Sequence, residues 1–347
     1  MSLVMILVPL CKVTRCASRN QRAGGRQYDC AMTTSSGFSA SSTTDEVLKG
    51  IDLTGKRYLV TGASGGLGLE TSRALAASGA TVVMAARNAA KNEAAIAVIK
   101  EKHPQARLET LNIELGSLAS VRAAVSEFVA RGVPLHGLIL NAGIMATPQE
   151  KTIDGFESQF GVDHLGHFLL ARELLPLLVQ SAPARVIVLS SAGHRAGDID
   201  LADYNFEKRV YEPFLAYGAA KTCNVLHAVG IDQRYRVQGV RAFAVHPGVI
   251  ATELSRYMTP EVLTSLIERL SERPTAMAWK TPEQGAATSV WAATSPLLDD
   301  RGGEYCEDCN VSPLVDNDSQ ADIGVVRRAM DSDRANQLWT LSNELVG

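Results

Sequence analysis

The stretch Thr61-Gly-Ala-Ser-Gly-Gly-Leu-Gly68 decides the fold, because of what stands on either side of it. Before it, Arg57–Thr61 is a short run of strand type; after it, Leu69–Ser78 carries helical spacing. A glycine string alone is only a flexible turn. Between a strand and a helix it becomes a cradle. Gly62 permits the tight turn, Gly66 lets the backbone come close to a phosphate, and Gly68 lets helix and sheet pack together. Ser64 and Leu67 belong to the same turn, and the helix start behind it offers unpaired N–H groups to an anion.

Working outward, apolar strands alternate with helical stretches from Lys56 onward, which predicts βαβ units. The strand candidates are Arg57–Thr61, Thr81–Ala86, Arg107–Ile113, Gly137–Asn141, Arg185–Ser190, Arg241–His246 and Glu304–Cys306. They are short and nearly continuous in Val, Ile, Leu and Ala, as strands covered on both faces are. Leu69–Ser78, Ala89–Lys102 and Leu118–Ala130 are long enough to serve as crossover connections. The expected fold is α/β, a Rossmann-type doubly wound parallel sheet of about seven strands with helices on both faces. No repeat and no Gly/Pro linker divides it, so residues 46–347 read as a single domain and 1–45 as a disordered N-terminal extension.

Composition narrows the function classes. Apolar residues make up 46% and charged residues 20% of the 347, an ordinary globular balance. Net charge is −3 with no long basic run, which argues against nucleic acid as a partner. Met1–Leu10 is apolar but too short to span a bilayer, and Lys12, Arg15, Arg19, Arg22 and Arg26 follow it where a secretory signal would place charges in front. The expectation is a cytoplasmic protein without a membrane span, with mitochondrial targeting by residues 1–31 as the lesser alternative. Synthesis starting at Met32 is a further reading, with Thr33–Thr44 as a disordered lead-in. Cys306-Glu-Asp-Cys309 has the gap of a zinc half-site, but no second pair stands in the body of the chain, so no metal is expected.

Two further features bear on chemistry. The second strand ends Ala85-Ala86-Arg87, where NAD-binding sheets place an acid that accepts the ribose hydroxyls. A guanidinium there can hold a 2′-phosphate bidentately, which favours NADP(H) over NAD(H). Tyr217-Gly-Ala-Ala-Lys221 puts a phenol and an ammonium on one helix face. A free tyrosine has a pKa near 10, and a neighbouring positive charge favours its phenolate. Ser190-Ser191 ends the strand before it, at the sheet edge where such folds bind ligands.

Taken together, Thr61–Gly68, Asn141-Ala142-Gly143, Ser191, Tyr217 with Lys221, and His246-Pro-Gly-Val-Ile-Ala-Thr252 resemble the short-chain dehydrogenase/reductase family over roughly residues 50–310. Ala86-Arg87, Asp163-His-Leu-Gly-His-Phe168, the long Ser191–Tyr217 separation and Glu283-Gln-Gly-Ala-Ala287 are similar to the branch with retinol dehydrogenases, the WW-domain oxidoreductase and protochlorophyllide reductases. The resemblance implies Tyr217 as general acid/base, Ser191 as the residue orienting the carbonyl, and Lys221 as binding the nicotinamide ribose while lowering the Tyr217 pKa. It implies Glu114, Leu115, Asn141, Ala142 and Gly143 along the adenosine side, and Pro247, Gly248, Val249 and Thr252 closing over the nicotinamide. Two positions depart from the family pattern: Glu114 stands where Asp is common, and Asp163 where Asn is usual. A buried carboxylate at 163 could pair with Lys221 and weaken its pull on Tyr217.

The implied activity is NADP(H)-dependent interconversion of a carbonyl and an alcohol, small or lipophilic. The alternatives are reduction of an activated C=C bond and a catalytically quiet NADP(H)-binding regulator. Gly197–Phe214 reads as a substrate-side loop. Leu254, Met258, Leu263 and Met277 hint at an apolar substrate, and His194 and Arg195 are candidates to reach it. His164 and His167, one turn apart, are read as structural residues, Trp279 and Trp291 as packing residues. Family habit allows a homodimer.

Overall fold

The computed structural model describes residues 35–271, 279–319 and 321–347. The expectations for residues 1–31 and for Met277 lie outside the described residues. The sequence runs as strands β1 (Arg57–Thr61), β2 (Thr81–Ala86), β3 (Arg107–Asn112), β4 (Gly137–Leu140), β5 (Ala184–Leu189), β6 (Val240–His246), β7 (Glu304–Glu307) and β8 (Asn310–Val311). They form one sheet in the order β3-β2-β1-β4-β5-β6-β7-β8. All neighbours are parallel except β7 and β8, which form an antiparallel hairpin. The expected parallel sheet is therefore present, with one edge strand more than foreseen. That strand gives no sequence signal because its turn carries Asp308 and Cys309 at φ of 50° and 57°, without the Asn-Gly or Asp-Gly pair that usually marks such a turn.

Alternation along the strands divides the interior. Leu59, Val83, Leu138, Val186, Val188 and Ala244 face one core, whereas Val60, Val82, Ile139, Ile187 and Val245 face the other. The first core is closed by α4 (Leu118–Ala130), α5 (Gly166–Gln180), α6 (Pro213–Tyr235) and α9 (Ser332–Val346). The second is closed by α1 (Thr44–Val47), α2 (Gly66–Ala77), α3 (Ala89–Lys102) and α8 (Pro282–Thr294). A further helix, α7 (Pro260–Ser271), follows β6. Both faces of the central strands are covered, which is why they read as apolar runs without a polar side, whereas the edge strand β3 keeps exposed Arg107 and Asn112.

Residues 36–44 correct the expected disordered lead-in. Ser36 N–H donates to Asn310 Oδ1 at 3.1 Å, and Asn310 Nδ2 donates to the Phe38 carbonyl at 3.2 Å. Phe38 packs on the second core, and Thr44 is fully buried against Glu70. A Ser/Thr-rich segment can dock when its backbone finds side-chain partners, and those partners lie some 270 residues away in sequence.

The strand order reverses between β1 and β4, the switch point at which open α/β sheets bind ligands. Thr61, completely buried at the end of β1, bolts the two strand ends together. Its hydroxyl accepts the N–H groups of Asn141 and Ala142 at 2.9 and 3.0 Å, while Asn141 Nδ2 donates to the Thr61 carbonyl at 2.8 Å. The hydroxyl proton can then go to His167 Nε2 at 2.9 Å, and His167 Nδ1–H to the Asp163 carbonyl at 3.1 Å. Burial holds His164 and His167 neutral, with pKa values pushed down to about 3. His164, Phe160, Phe168, His227 and Trp339 form an aromatic group beneath α9, and His164 Nε2 meets Ser342 Oγ at 2.9 Å. Both histidines are structural, as expected.

Two outcomes follow from these contacts. Thr61→Val removes the acceptor of two buried N–H groups and is expected to lower unfolding free energy by about 1–3 kcal/mol. The measurement is a lower denaturant midpoint at unchanged slope, with Thr61→Ser close to the parent. The buried histidines also set an acid limit. An unfolded histidine titrates near 6.5, so between there and about 3 the unfolded chain binds more protons than the folded one. Stability is therefore complete above pH 6.5 and is lost as pH falls, by up to about 1.4 kcal/mol per pH unit for each such histidine. Denaturation curves collected between pH 7 and 4 should show this decline.

Candidate active site

The glycine turn is built as its spacing predicts. Gly62 and Gly66 lie in the left-handed region, at φ of 66° and 52°. A Cβ on Gly68 would stand 2.3 Å from the Gly62 carbonyl oxygen and 2.6 Å from Asn141 Nδ2, so only glycine lets α2 start this close to β1. The turn leaves an open cradle beside the N-terminus of α2, with Ser64 half-buried and Leu67 packed toward the second core. Over it lies the 247–252 segment. A Cβ on Gly66 would sit 3.4 Å from the Thr252 methyl, and Ile250 and Leu67 both crowd Gly285 of α8. Of this segment Thr252 reaches the glycine turn; Gly248 packs against Lys280, and Val249–Ile250 pairs in parallel with Trp279–Lys280.

The side chains after β2 and β3 approach one another. Arg87, largely exposed, has its guanidinium 3.6 Å from Glu114 Oε2. Glu114 Oε1 accepts the Gly116 N–H at 3.1 Å, so this carboxylate is aimed by its own turn. Leu115 is buried in the first core, and its carbonyl abuts Gly166 at the start of α5. Asn141, Ala142 and Gly143 run along the switch point and are fixed there by Thr61.

Ser191, Tyr217 and Lys221 come together at the carboxyl edge of the sheet. The turn Ala192–Arg195 packs directly on the backbone of α6. A Cβ on Gly218 would lie 2.5 Å from the Gly193 carbonyl, and one on Gly197 2.5 Å from Ala219 N. This close approach sets the Tyr217 ring against Gly193 and Ser191. Ser190 Oγ donates to the Lys221 carbonyl at 2.8 Å, and Asn224 Nδ2 donates to the Leu189 carbonyl at 2.8 Å, which pins α6 to the end of β5. Lys221 Nζ stands 5.3 Å from the Tyr217 ring centroid.

Lys221 has a second partner. Asp163, with no exposure, lies in a π-helical turn, Phe160–Leu165, that leads into α5. Its Oδ2 is 2.9 Å from Lys221 Nζ, and its Oδ1 accepts the Ile144 N–H at 2.9 Å. Such a widened turn re-aims a side chain that a regular helix would place elsewhere. Burial raises the Tyr217 pKa; Lys221 and the Ser191 hydrogen bond pull it down, Asp163 pushes it up, and the net direction is upward. The ammonium therefore acts in the expected sense, but burial and Asp163 outweigh it. For Lys221 itself burial disfavours the charge, yet Asp163 and Tyr217 overcome it and raise its pKa.

Several supporting residues carried no readable signal in the sequence. Glu157, buried before the π-helical turn, accepts the N–H groups of Gln159 and Phe160 at 2.9 and 2.7 Å. Gln159 accepts the N–H of Ala146, a residue in the left-handed region, and donates to Tyr211 and to the Pro213 carbonyl. This network ties the loop after β4 to the start of α6. His194 and Arg195 do not reach toward a substrate. His194 Nδ1 meets the Ser191 carbonyl at 2.6 Å and Nε2 accepts from Val326 N, while Arg195 donates to the carbonyls of Ala321 and Gly324. They brace the C-terminal segment against the Ser191 turn. Cys306 and Cys309 are buried free thiols, and no group of three metal-ligating side chains occurs among the described residues.

Comparison with known proteins agrees with this geometry. The family model described as short chain dehydrogenase matches residues 56–262. The chain is 40% identical over 295 residues to short-chain dehydrogenase/reductase prx1 of Penicillium roqueforti, covering 84% of this chain and 85% of that protein. It is 39% identical over 297 residues to retinol dehydrogenase 12 of Mus musculus, with 86% and 88% covered. A crystal structure of an uncharacterised protein from Mycobacterium paratuberculosis superposes with a TM-score of 0.66 at 34% identity, covering 88% of this chain and 97% of the other. The chain belongs to the short-chain dehydrogenase family and is an oxidoreductase acting on CH–OH or C=O groups.

Proposed function

We propose that this oxidoreductase uses NADP(H) to interconvert a lipophilic aldehyde or ketone and its alcohol, with Tyr217 as the acid/base. The observation that carries the reading is the convergence of half-buried Ser191 with buried Tyr217 and Lys221 at the carboxyl edge of the sheet. The cradle suits a dinucleotide: Gly62 and Gly68 let β1, β4 and α2 approach closely, Gly66 is exposed at the turn in the left-handed region, and the N-terminus of α2 opens beside it. Gly62, Ser64, Gly66, Leu67 and Gly68 would hold the pyrophosphate, with Glu114, Leu115, Asn141, Ala142 and Gly143 along the adenosine side. Lys221 and Tyr217 would hold the nicotinamide ribose, and Pro247, Gly248, Val249 and Thr252 would cover the ring. When bound, the nicotinamide supplies or takes up the hydride.

The chain's own residues supply the rest. The Ser191 hydroxyl accepts the Gly193 N–H at 3.1 Å and directs its proton toward Tyr217, where a substrate oxygen between the two would receive it. Tyr217, its ring against Gly193 and Ser191, gives its phenolic proton to that oxygen in reduction and takes it back in oxidation. Lys221 keeps a positive charge beside the phenol and steadies it as the proton leaves. Tyr217 and Lys221 are buried and Ser191 is half-buried, which limits the access of water to the proton transfer.

Arg87 supports the choice of NADP(H). No carboxylate stands at the end of β2 to repel a 2′-phosphate, and the Arg87 guanidinium is held only loosely, at 3.6 Å from Glu114. A lipophilic substrate is supported by Leu254 and Met258, half-buried after Thr252, and by likeness to a retinol dehydrogenase.

A panel of aldehydes and ketones assayed at the nicotinamide absorbance, with both cofactors, tests the reading. Tyr217→Phe is expected to lower kcat by about 10²–10⁴-fold while the cofactor still binds; full activity in this variant would remove Tyr217 from the mechanism. Arg87→Ala is expected to raise KM for NADPH by about tenfold or more, the loss of one charge-assisted contact. KM for NADH should move by less than about twofold, since it lacks the phosphate that this contact serves. Equal effects on both cofactors would exclude Arg87 as the phosphate ligand.

A further inference from the structure

Asp163 is the feature that the proposed chemistry leaves unused. It is a fully buried carboxylate whose Oδ2 stands 2.9 Å from the Lys221 ammonium beside Tyr217. It is fixed from two sides: Oδ1 accepts the Ile144 N–H at 2.9 Å, and its carbonyl accepts from His167 Nδ1 at 3.1 Å. A Cβ on Gly143 would lie 3.4 Å from both Asp163 Oδ2 and Lys221 Nζ, so the pair sits directly under the loop after β4. The carboxylate has no room to swing away from Lys221 without losing the Ile144 bond.

The charge state of this cluster has a consequence for Tyr217. An ammonium alone stabilises a neighbouring phenolate; an ammonium bonded to a carboxylate is close to a neutral dipole and does so much less. Reduction of a carbonyl needs a proton on Tyr217 Oη to pass to the carbonyl oxygen. Oxidation of an alcohol needs that oxygen to be a phenolate able to take the hydroxyl proton. We propose that Asp163 is a positioning residue that, by neutralising Lys221 through a buried ion pair, keeps Tyr217 in its hydroxyl form and biases the site kinetically toward carbonyl reduction. The inference rests on Tyr217 being the acid/base. It concerns rates at a given pH, since the overall equilibrium of the reaction is not altered by the protein.

The other groups around the cluster do not offset the pair. From α6 come Lys221 and Tyr217 themselves, and from the end of β5 the Ser191 hydroxyl, which favours the phenolate. From α5, His167 is neutral above about pH 3. Glu157, ahead of the π-helical turn, is buried and raised, and its negative field adds to that of Asp163. From the turn Glu253–Tyr257, Arg256 exerts a weaker pull on Asp163 than burial, Lys221 or the Ile144 bond. Tyr305 of β7 stays protonated, raised well above an ordinary tyrosine by burial. The sign for Tyr217 follows: burial and Asp163 raise it, Lys221 and Ser191 lower it, and the outcome is upward.

The first test reads ionisation directly and needs neither substrate nor cofactor. The tyrosinate absorbance of the intact protein is titrated against that of Tyr217→Phe, and the difference belongs to Tyr217. It is expected to appear only above the ordinary tyrosine value of about 10. In Asp163→Asn, whose amide oxygen can keep the Ile144 bond, it should move down by about one pH unit or more. In turnover, the alkaline rise of alcohol oxidation should shift down with it. Oxidation at neutral pH should then rise by up to about tenfold in Asp163→Asn, the phenolate fraction gained per unit. A Tyr217 phenolate forming below about pH 9 in the unaltered protein, or an Asp163→Asn titration that overlays the parent, would overturn the proposal. Because the parent titration needs no variant at position 163, a poorly folding Asp163→Asn leaves that arm decisive. Absence of turnover with shifted titrations would count against the proposed activity and leave the role of Asp163 standing.

Discussion

Two strand ends meet at the switch point of this sheet, and the contact between them constrains everything built above it. β1 turns away through Gly62 while β4 turns away through Asn141, and the two backbones run so close that a Cβ on Gly62 would stand 2.9 Å from the Ala142 Cα. Groups this crowded and largely shielded from solvent satisfy their polar atoms locally. Thr61 does so with one hydroxyl, which accepts two N–H groups and leads on to His167 and the backbone of Asp163. The glycine turn and the Asp163–Lys221 pair are thereby parts of one hydrogen-bonded construction.

That continuity explains why residues far apart in sequence act as one site. α6 is held to β5 by Ser190 and Asn224, and the Ser191 turn is pressed onto α6 by glycine-to-backbone contacts. The C-terminal segment then locks the turn from outside, through Arg195, Arg328 and Val326. Tyr217 is buried by these layers, and burial is the main force on its proton. The polar neighbours adjust that force in opposite directions, Lys221 and Ser191 against Asp163. A phenol whose protonation depends on such a balance is sensitive to a single carboxylate placed 2.9 Å from the neighbouring ammonium.

The fold was largely legible in the sequence. Strands buried on both faces are nearly continuous apolar runs, and seven strands are legible in the right order with crossover segments between, although the edge strand β3 carries exposed Arg107 and Asn112. Features without a periodic or compositional mark are not legible there. β8 hangs on a turn made by Asp308 and Cys309, residues that rarely adopt the required conformation. The 36–44 segment looked disordered because its partners, Asn310 and Glu70, are remote in sequence and ordinary in type. His194 and Arg195 were adjacent to Ser191 and so suggested substrate contact; their side chains instead point to the C-terminal segment, whose docking no local pattern encodes.

The sequence alone determined the cradle, the Tyr217–Lys221 pair and the absence of an acid at Arg87, because each is a short-range arrangement fixed by strand, turn or helix geometry. Only the tertiary structure decided how those groups are charged. Burial is a property of the assembled layers, and the Asp163–Lys221 contact joins residues 58 positions apart through a π-helical turn that no spacing rule predicts. Local geometry places the chemical groups; long-range packing sets the dielectric and the partners that govern their protons.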